Sequence, residues 1–190
     1  MQLSQVTKTP PLLDATNYHF FSEAFNTFEI QRIRDLAAMH EEEAATIGDN
    51  VIDISYRKSN IVWLPEEPWL SDKLGTLMNM ANHAQFGFNL THVDDKIQFT
   101  KYGADDQHYD YHLDCGKGSN RKLSLIVQLS NSEDYDGGDF ILKTGRDDNY
   151  LPRGRGNVLV MPSFLLHRVT PVTRGTRESL VIWACGPHFV

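Results

Sequence analysis

Cysteine is scarce: the 190 residues hold two, Cys115 and Cys185. Two cysteines make no disulfide framework, so a reduced, cytoplasmic compartment is expected. Long apolar runs are lacking too. The longest, at 157–161 and 179–185, are strand-length against the ~20 residues that span a bilayer, and the first twenty residues show no apolar signal segment. No membrane span and no secretion are expected. Positive charge is also in deficit, with 18 Lys and Arg against 25 Asp and Glu and a net charge of −7. That excludes a broad cationic surface for duplex nucleic acid or anionic lipid, and it is compatible with a basic protein partner. What is present, 41% hydrophobic and 23% charged residues, is the balance of a globular chain and not of a disordered or collagen-like one.

Along the chain, residues 1–16 carry Thr-Pro-Pro and no periodicity, and read as an extended leader. From Asn26 the pattern is helical. Asn26 and Glu29 form a potential capping box, and Phe25, Phe28, Ile30, Ile33, Leu36, Ala37 and His40 recur at helical spacing, predicting a helix over 27–46. Residues 51–64 are β-rich. A second helix follows Pro68, with Leu70, Leu74, Leu77, Met78, Ala81 and Ala84 as its buried stripe, ending near Gly87. Beyond Asp95 only short strand-like runs recur, at 96–102, 108–114, 123–129, 140–144, 157–161, 167–172 and 179–185, separated by turn-forming glycines and aspartates. Two helices followed by at least seven short strands suggest a mainly β, α+β chain: a jelly roll or barrel buttressed by two N-terminal helices. With no repeat and no linker, 17–190 is expected to be one domain.

Eight histidines are the least ordinary feature. Two ligands at i and i+2 on a strand share a face and can grip one metal ion, so His-x-acid is worth testing. By composition about one such tripeptide should occur by chance, and motif matches of this kind carry that false-positive risk. The chain holds four, beginning at His40, His92, His108 and His112. His40 falls in the predicted helix, where i and i+2 diverge by about 200°. His92-Val93-Asp94 reads as a loop. His108, Asp110, His112 and Asp114 all fall on one face of one predicted strand, so periodicity cannot choose between the last two pairs.

The larger pattern resembles the iron(II) and 2-oxoglutarate-dependent oxygenases, and within them the prolyl 4-hydroxylase-like branch. Tyr102, followed by Gln107, Tyr109, His112 and Asp114, is similar to that branch's Tyr…Gln-x-Tyr-x-x-His-x-Asp. Asp134-Tyr135-Asp136-Gly137-Gly138-Asp139-Phe140 resembles its Gly-Gly-acidic-apolar strand entry. His167, Pro171, Val172, Gly175 and Arg177 resemble its distal half. Arg57-Lys58-Ser59, ahead of Trp63, is a weaker match to a substrate-loop segment.

The resemblance implies a double-stranded β-helix (jelly-roll) core and a metal site of His112, Asp114 and His167. Two imidazoles and one carboxylate suit non-haem iron(II) and leave positions open for co-substrate and dioxygen. It implies Arg177 as the anchor of the 2-oxoglutarate 5-carboxylate, because a guanidinium meets a carboxylate with paired, charge-assisted bonds. Tyr102 is implied as a hydroxyl donor to the same co-substrate. Where some relatives have another tyrosine, this chain has Gln128, the candidate replacement. Trp183 is expected as a dry wall near both co-substrate and substrate, with Arg57 and Tyr109 as further substrate contacts. Cys115 and Cys185 read as ordinary small residues. The implied activity is hydroxylation of a proline in a peptide or protein, coupled to decarboxylation of 2-oxoglutarate to succinate, with ascorbate as accompanying reductant. Loops 55–68, 116–121 and 131–138 are expected to recognise the substrate. Two alternatives stay open: an oxygenase of the same type acting on a free amino acid, another protein residue or a nucleobase, and a non-catalytic jelly-roll metal-binding module.

Overall fold

A computed structural model describes residues 17–47, 51–94, 96–116 and 118–188; the expected leader at 1–16 lies outside them. The N-terminal part contains β1 (His19–Phe21), α1 (Thr27–Ala38), β2 (Glu43–Ala44), β3 (Arg57–Lys58), β4 (Asn60–Leu64) and α2 (Pro68–Ala81). A π-helical turn, Asn82–Phe86, and Gly87 at φ 68° close α2, as the glycine predicts. Then come β5 (His92–Val93), β6 (Ile97–Gly103), β7 (Gln107–His112), β8 (Arg121–Gln128), β9 (Tyr135–Gly137), β10 (Phe140–Thr144), β11 (Asp147–Tyr150), β12 (Val158–Pro162) and β13 (His167–Cys185). No helix among the described residues is long and apolar enough to cross a membrane.

The capping box is real: Glu29 N donates to Asn26 Oδ1 at 3.0 Å and Asn26 N donates to Glu29 Oε2 at 2.9 Å. Ile30, Ile33, Leu36 and Ala37 are buried as expected, whereas Phe28 is exposed. The helix stops at Ala38, eight residues short of the predicted end. Residues 41–46 favour helix by propensity, but Glu43 and Ala44 instead pair with Ile61 and Asn60 at a sheet edge. Tertiary pairing overrides a weak local preference. His40 is therefore beyond the helix and exposed, so its rejection as a ligand holds without the helical angle.

The fold is mainly β, a double-stranded β-helix of two antiparallel sheets. The major sheet runs β1-β12-β8-β13-β6-β4-β2. The minor one sets β7 and β10 on either side of the first part of β13, with β3 outside β7 and β11 outside β10. β13 belongs to both: His167–Val172 pairs in the minor sheet and Thr176–Cys185 in the major. Two strands predicted from the sequence are thus one 19-residue strand. Between its halves, Gly175 at φ 71° lies where a Cβ would come within 2.0 Å of Asp134 O, so only glycine fits.

Period two divides the major sheet. Leu123, Leu125 and Val127 of β8, Leu180 and Ile182 of β13, and Ile97 and Phe99 of β6 form one core with Ile30, Ile33, Leu70, Leu74 and Met78 of the helices. The alternate residues, Ser124, Ile126 and Gln128, Arg177, Ser179, Val181 and Trp183, and Gln98, Thr100 and Tyr102, therefore face the space between the sheets. That parity puts the chemistry inside.

Candidate active site

His112 ends β7, His167 begins β13, and the two are paired across the ladder. His112 Nδ1 donates to Asp110 O and His167 Nδ1 to Leu165 O, both at 2.8 Å. A carbonyl only accepts, so in each ring the proton sits on Nδ1 and the Nε2 lone pair is left free. Both free nitrogens converge on Asp114, His112 Nε2 3.6 Å from Oδ1 and His167 Nε2 3.7 Å from Oδ2. Asp114 lies just beyond the strand, held by its N–H to Ser163 O at 2.9 Å and by Ser124 Oγ donating to Oδ2 at 2.6 Å. Ser124 also shares a 2.9 Å hydrogen bond with Ser163. One donor atom from each of His112, Asp114 and His167 lies within 4.8 Å of the others.

Burial, followed by the neighbouring His167, pushes the His112 pKa down to about 3. Burial works to raise the Asp114 carboxyl, but His167, His112 and the Ser124 hydroxyl outweigh it and hold it below its ordinary value. A neutral imidazole beside a carboxylate is the protonation state a divalent cation needs.

The ambiguity between the two His-x-Asp pairs is resolved by a bulge. β7 and β13 pair at His167↔His112 and at Val169↔Tyr109, so three steps along β7 match two along β13. The extra residue breaks the two-residue alternation. Tyr109 comes onto the His112 side and stacks on it, ring centroids 3.4 Å apart. His108 is turned away, its ring nitrogens meeting Asp106 O and Ser55 O, and Asp110 is exposed. The expectation that all four side chains share one face is corrected accordingly.

His112, Asp114 and His167 line a cavity of about 810 Å³ together with Tyr102, Arg177 and Trp183, and with Arg57 and Tyr109 towards β3. Arg177 is 1% exposed and has no carboxylate partner among the described residues. Its Nη2 donates to Gln128 Oε1 at 2.6 Å, its Nη1 to Ser179 Oγ at 3.4 Å, and its Nε has no partner. A buried, unneutralised guanidinium is costly unless an anion arrives from outside. Tyr102 is buried under the same cation, whose Cζ lies 5.5 Å from the ring centroid, and burial raises its phenol pKa.

Gln128 departs from its expected place: both ends of its amide are occupied within the protein, Oε1 by Arg177 and Nε2 by Tyr135, and it does not line the large cavity. Nor does the 131–138 loop, whose Tyr135 is fully buried behind Arg177. The other two expected loops do contribute, through Tyr56, Arg57 and Trp63 and through Gly116, Ser119, Asn120 and Arg121. Ser124, Ser163 and Tyr135 carry no role in the sequence reading, although Tyr135 stands within the strand-entry motif. For Ser124 a signal existed, a small polar residue at inward parity in an apolar strand.

His92, Asp94 and Cys185 form a second cluster with donor atoms within 4.8 Å, because β5, predicted as a loop, pairs with the end of β13. It suits a metal poorly. Arg121 already neutralises Asp94 at 3.2 Å, and Cys185 donates to the same carboxylate at 3.7 Å. Burial and Asp94 raise the thiol pKa and keep it protonated.

Residues 97–185 match the family model of the 2OG-Fe(II) oxygenase superfamily. This segment is similar to the 2OG-Fe(II) oxygenases. It contains both ends of the cavity, the His-Asp-His cluster and Arg177, and the family implies iron(II), 2-oxoglutarate and dioxygen. The donor set fits iron(II), and the unneutralised Arg177 fits an anionic co-substrate. Among curated relatives, the chain is similar to a PKHD-type hydroxylase of Alteromonas mediterranea, 32% identical over 93 residues, which are 45% of this chain and 41% of that protein. The matches thus span about two fifths of the relatives' length. In fold, the chain resembles a prolyl hydroxylase from Trichoplax adhaerens, solved with a hypoxia inducible factor peptide fragment, at TM-score 0.77 and 17% identity over 91% of this chain and 85% of that one. A prolyl-4-hydroxylase of Pseudomonas putida superposes at TM-score 0.75 and 19% identity, covering 92% and 95%.

Proposed function

We propose that the chain is an iron(II)- and 2-oxoglutarate-dependent dioxygenase that hydroxylates a proline in a peptide or protein, with 17–190 acting as one catalytic unit. The observation that carries this reading is the pairing, in one cavity, of a buried His-Asp-His donor set with a buried guanidinium that no carboxylate among the described residues neutralises. His112, Asp114 and His167 hold the metal. Arg177 takes the 5-carboxylate, and Tyr102 adds its hydroxyl in the same space. When bound, iron with 2-oxoglutarate and dioxygen supplies the oxidising power: the keto acid loses carbon dioxide to become succinate, and one oxygen atom goes to a substrate C–H bond.

The chain's residues supply orientation and dryness. Phe140, Val169, Val181 and Trp183 form the apolar lining that keeps water from the reacting atoms. Within the cavity, buried Arg57 lies 4.5 Å over the Tyr109 ring, and burial pushes the Tyr109 phenol up to about 12, so it stays a hydrogen-bond donor. These groups can meet the carbonyls of an extended peptide. The relatives named as prolyl hydroxylases support proline as the target.

The test is succinate release by the purified protein with iron(II), ascorbate and 2-oxoglutarate, with and without proline-containing peptides analysed for a gain of one oxygen. Turnover should vanish in His112→Ala and His167→Ala and persist in His108→Ala. Loss confined to the His108 variant would overturn the metal assignment, and an oxidised non-proline residue would overturn the substrate.

A further inference from the structure

Behind Arg177, away from the large cavity, lies a second, smaller cavity lined by Gln128, Phe140, Leu151, Arg153 and Arg177. One continuous set of contacts runs beside it. Gln128 Oε1 accepts from Arg177 Nη2 at 2.6 Å, and Gln128 Nε2 donates to the Tyr135 hydroxyl oxygen at 3.0 Å. That oxygen also accepts from Arg153 Nε at 3.3 Å, while Arg153 Nη2 donates to Tyr135 O at 2.8 Å and its Cζ lies 4.2 Å over the Tyr135 ring. Arg153 is tethered in turn to Asp139 at 3.5 Å. Gly138, at φ 61°, makes room: a Cβ there would lie 3.1 Å from Arg177 Cδ and 3.2 Å from Tyr135 Cε2.

We infer that Gln128, Tyr135 and Arg153 are positioning residues that aim Arg177 without neutralising it, and so set the site's affinity for a 2-oxo acid with a distal carboxylate. The inference rests on the co-substrate role proposed for Arg177. Donor and acceptor logic fixes its polarity. A guanidinium can only donate, so the Gln128 oxygen must face Arg177 and its NH₂ must face away. The acceptor placed there is the Tyr135 oxygen, which Arg153, another pure donor, holds from the far side. Two cations therefore bracket two neutral dipoles. Arg153 has Asp139 as counter-charge; Arg177 has none among the described residues, and its charge is left for a ligand. A carboxylate at position 128 would hold the guanidinium equally well and take away the charge.

The test is equilibrium binding of 2-oxoglutarate, without oxygen, to protein loaded with manganese(II) in place of iron, alongside pyruvate, which has the 2-oxo acid but no distal carboxylate. Gln128→Glu should weaken 2-oxoglutarate binding by about 100-fold and leave pyruvate binding near that of the unaltered protein, since the new carboxylate competes only for Arg177. Tyr135→Phe keeps the ring and removes the acceptor, and should weaken 2-oxoglutarate by about 5- to 10-fold. In turnover it should raise KM for 2-oxoglutarate with a much smaller change in kcat. Arg153→Gln, should Tyr135→Phe fail to fold, should move the same ratio in the same direction. If Arg177→Ala abolishes 2-oxoglutarate binding while the Gln128 and Tyr135 variants bind like the unaltered protein, the relay is wrong and the proposed function stands. If Arg177→Ala itself binds 2-oxoglutarate normally, the co-substrate role falls, and the relay with it.

Discussion

The two faces of the major sheet are built from the same strands and do opposite work. On β8, Leu123, Leu125 and Val127 press against the helices, while Ser124 and Gln128, between and beyond them, hold Asp114 and Arg177. On β13, Leu180 and Ile182 face the helices while Arg177 and Trp183 face the cavity. Stability and chemistry are separated by one residue of register. The apolar face supplies rigidity, so polar groups on the other can be held at fixed geometry despite the cost of burying them.

If that division is correct, substitutions on the two faces should fail differently. The largest effect belongs to the cavity: Asp114→Ala should abolish succinate release while leaving a cooperative thermal unfolding transition, because it removes a ligand and not packing. Loss of the folded state in that variant would erase the distinction. Leu125→Ala, one step across the sheet from Ser124, should cost about 2–5 kcal/mol in denaturant unfolding, with the residual folded fraction retaining its affinity for 2-oxoglutarate. Ser124→Ala should weaken metal binding by about 10- to 100-fold, since it frees a carboxylate that the hydroxyl now orients, with a small effect on unfolding. Metal titration of the two variants side by side distinguishes them.

Smaller effects should be confined to the helical layer. Asn26→Ala deletes the side-chain half of the capping box and should cost about 1 kcal/mol, visible in unfolding and not in turnover at saturating substrate. Glu29, in the same box, has burial working to raise its pKa, but hydrogen bonds from Lys73 and from the Asn26 backbone prevail and lower it from its ordinary 4.5. A depressed carboxylate stabilises the fold above its unfolded-state value and loses that contribution as pH falls through the folded-state value. Glu29→Gln should therefore be the less stable form near neutrality and show a flatter decline below about pH 4.5; an unchanged acid limb would remove Glu29 from it.

Much of this molecule is legible in one dimension because its periods are local. The α2 stripe as far as Ala81, the capping box, the Gly87 stop and most strand centres follow from spacings of two, three and four residues, while Ala84, expected in that stripe, is exposed in the π-helical turn. What could not be read depends on partners distant in sequence. The helix α1 ends early because β4 captures residues 43–44. His92-Val93 is a strand because the end of β13 lies beside it. The alternation of β7 breaks because its ladder with β13 carries a bulge, and without that bulge His108 and Asp110 are as good a pair as His112 and Asp114. For Gln128, the resemblance pointed to a co-substrate contact in place of a tyrosine, but not to Tyr135, seven residues on, turning its amide away from the cavity.

From the sequence alone came the class of the fold, the two helices, the oxygenase resemblance and the residue types of the site, since residue type and short-range spacing are carried by the chain itself. Tertiary structure decided which histidine nitrogens converge, that Arg177 is buried with no counter-charge among the described residues, and that Tyr135 and Arg153 stand behind it. These are properties of groups 49 residues apart or brought together by β13 crossing from one sheet to the other. Burial and charge neutralisation are sums over neighbours in space, and no local window of sequence contains those neighbours.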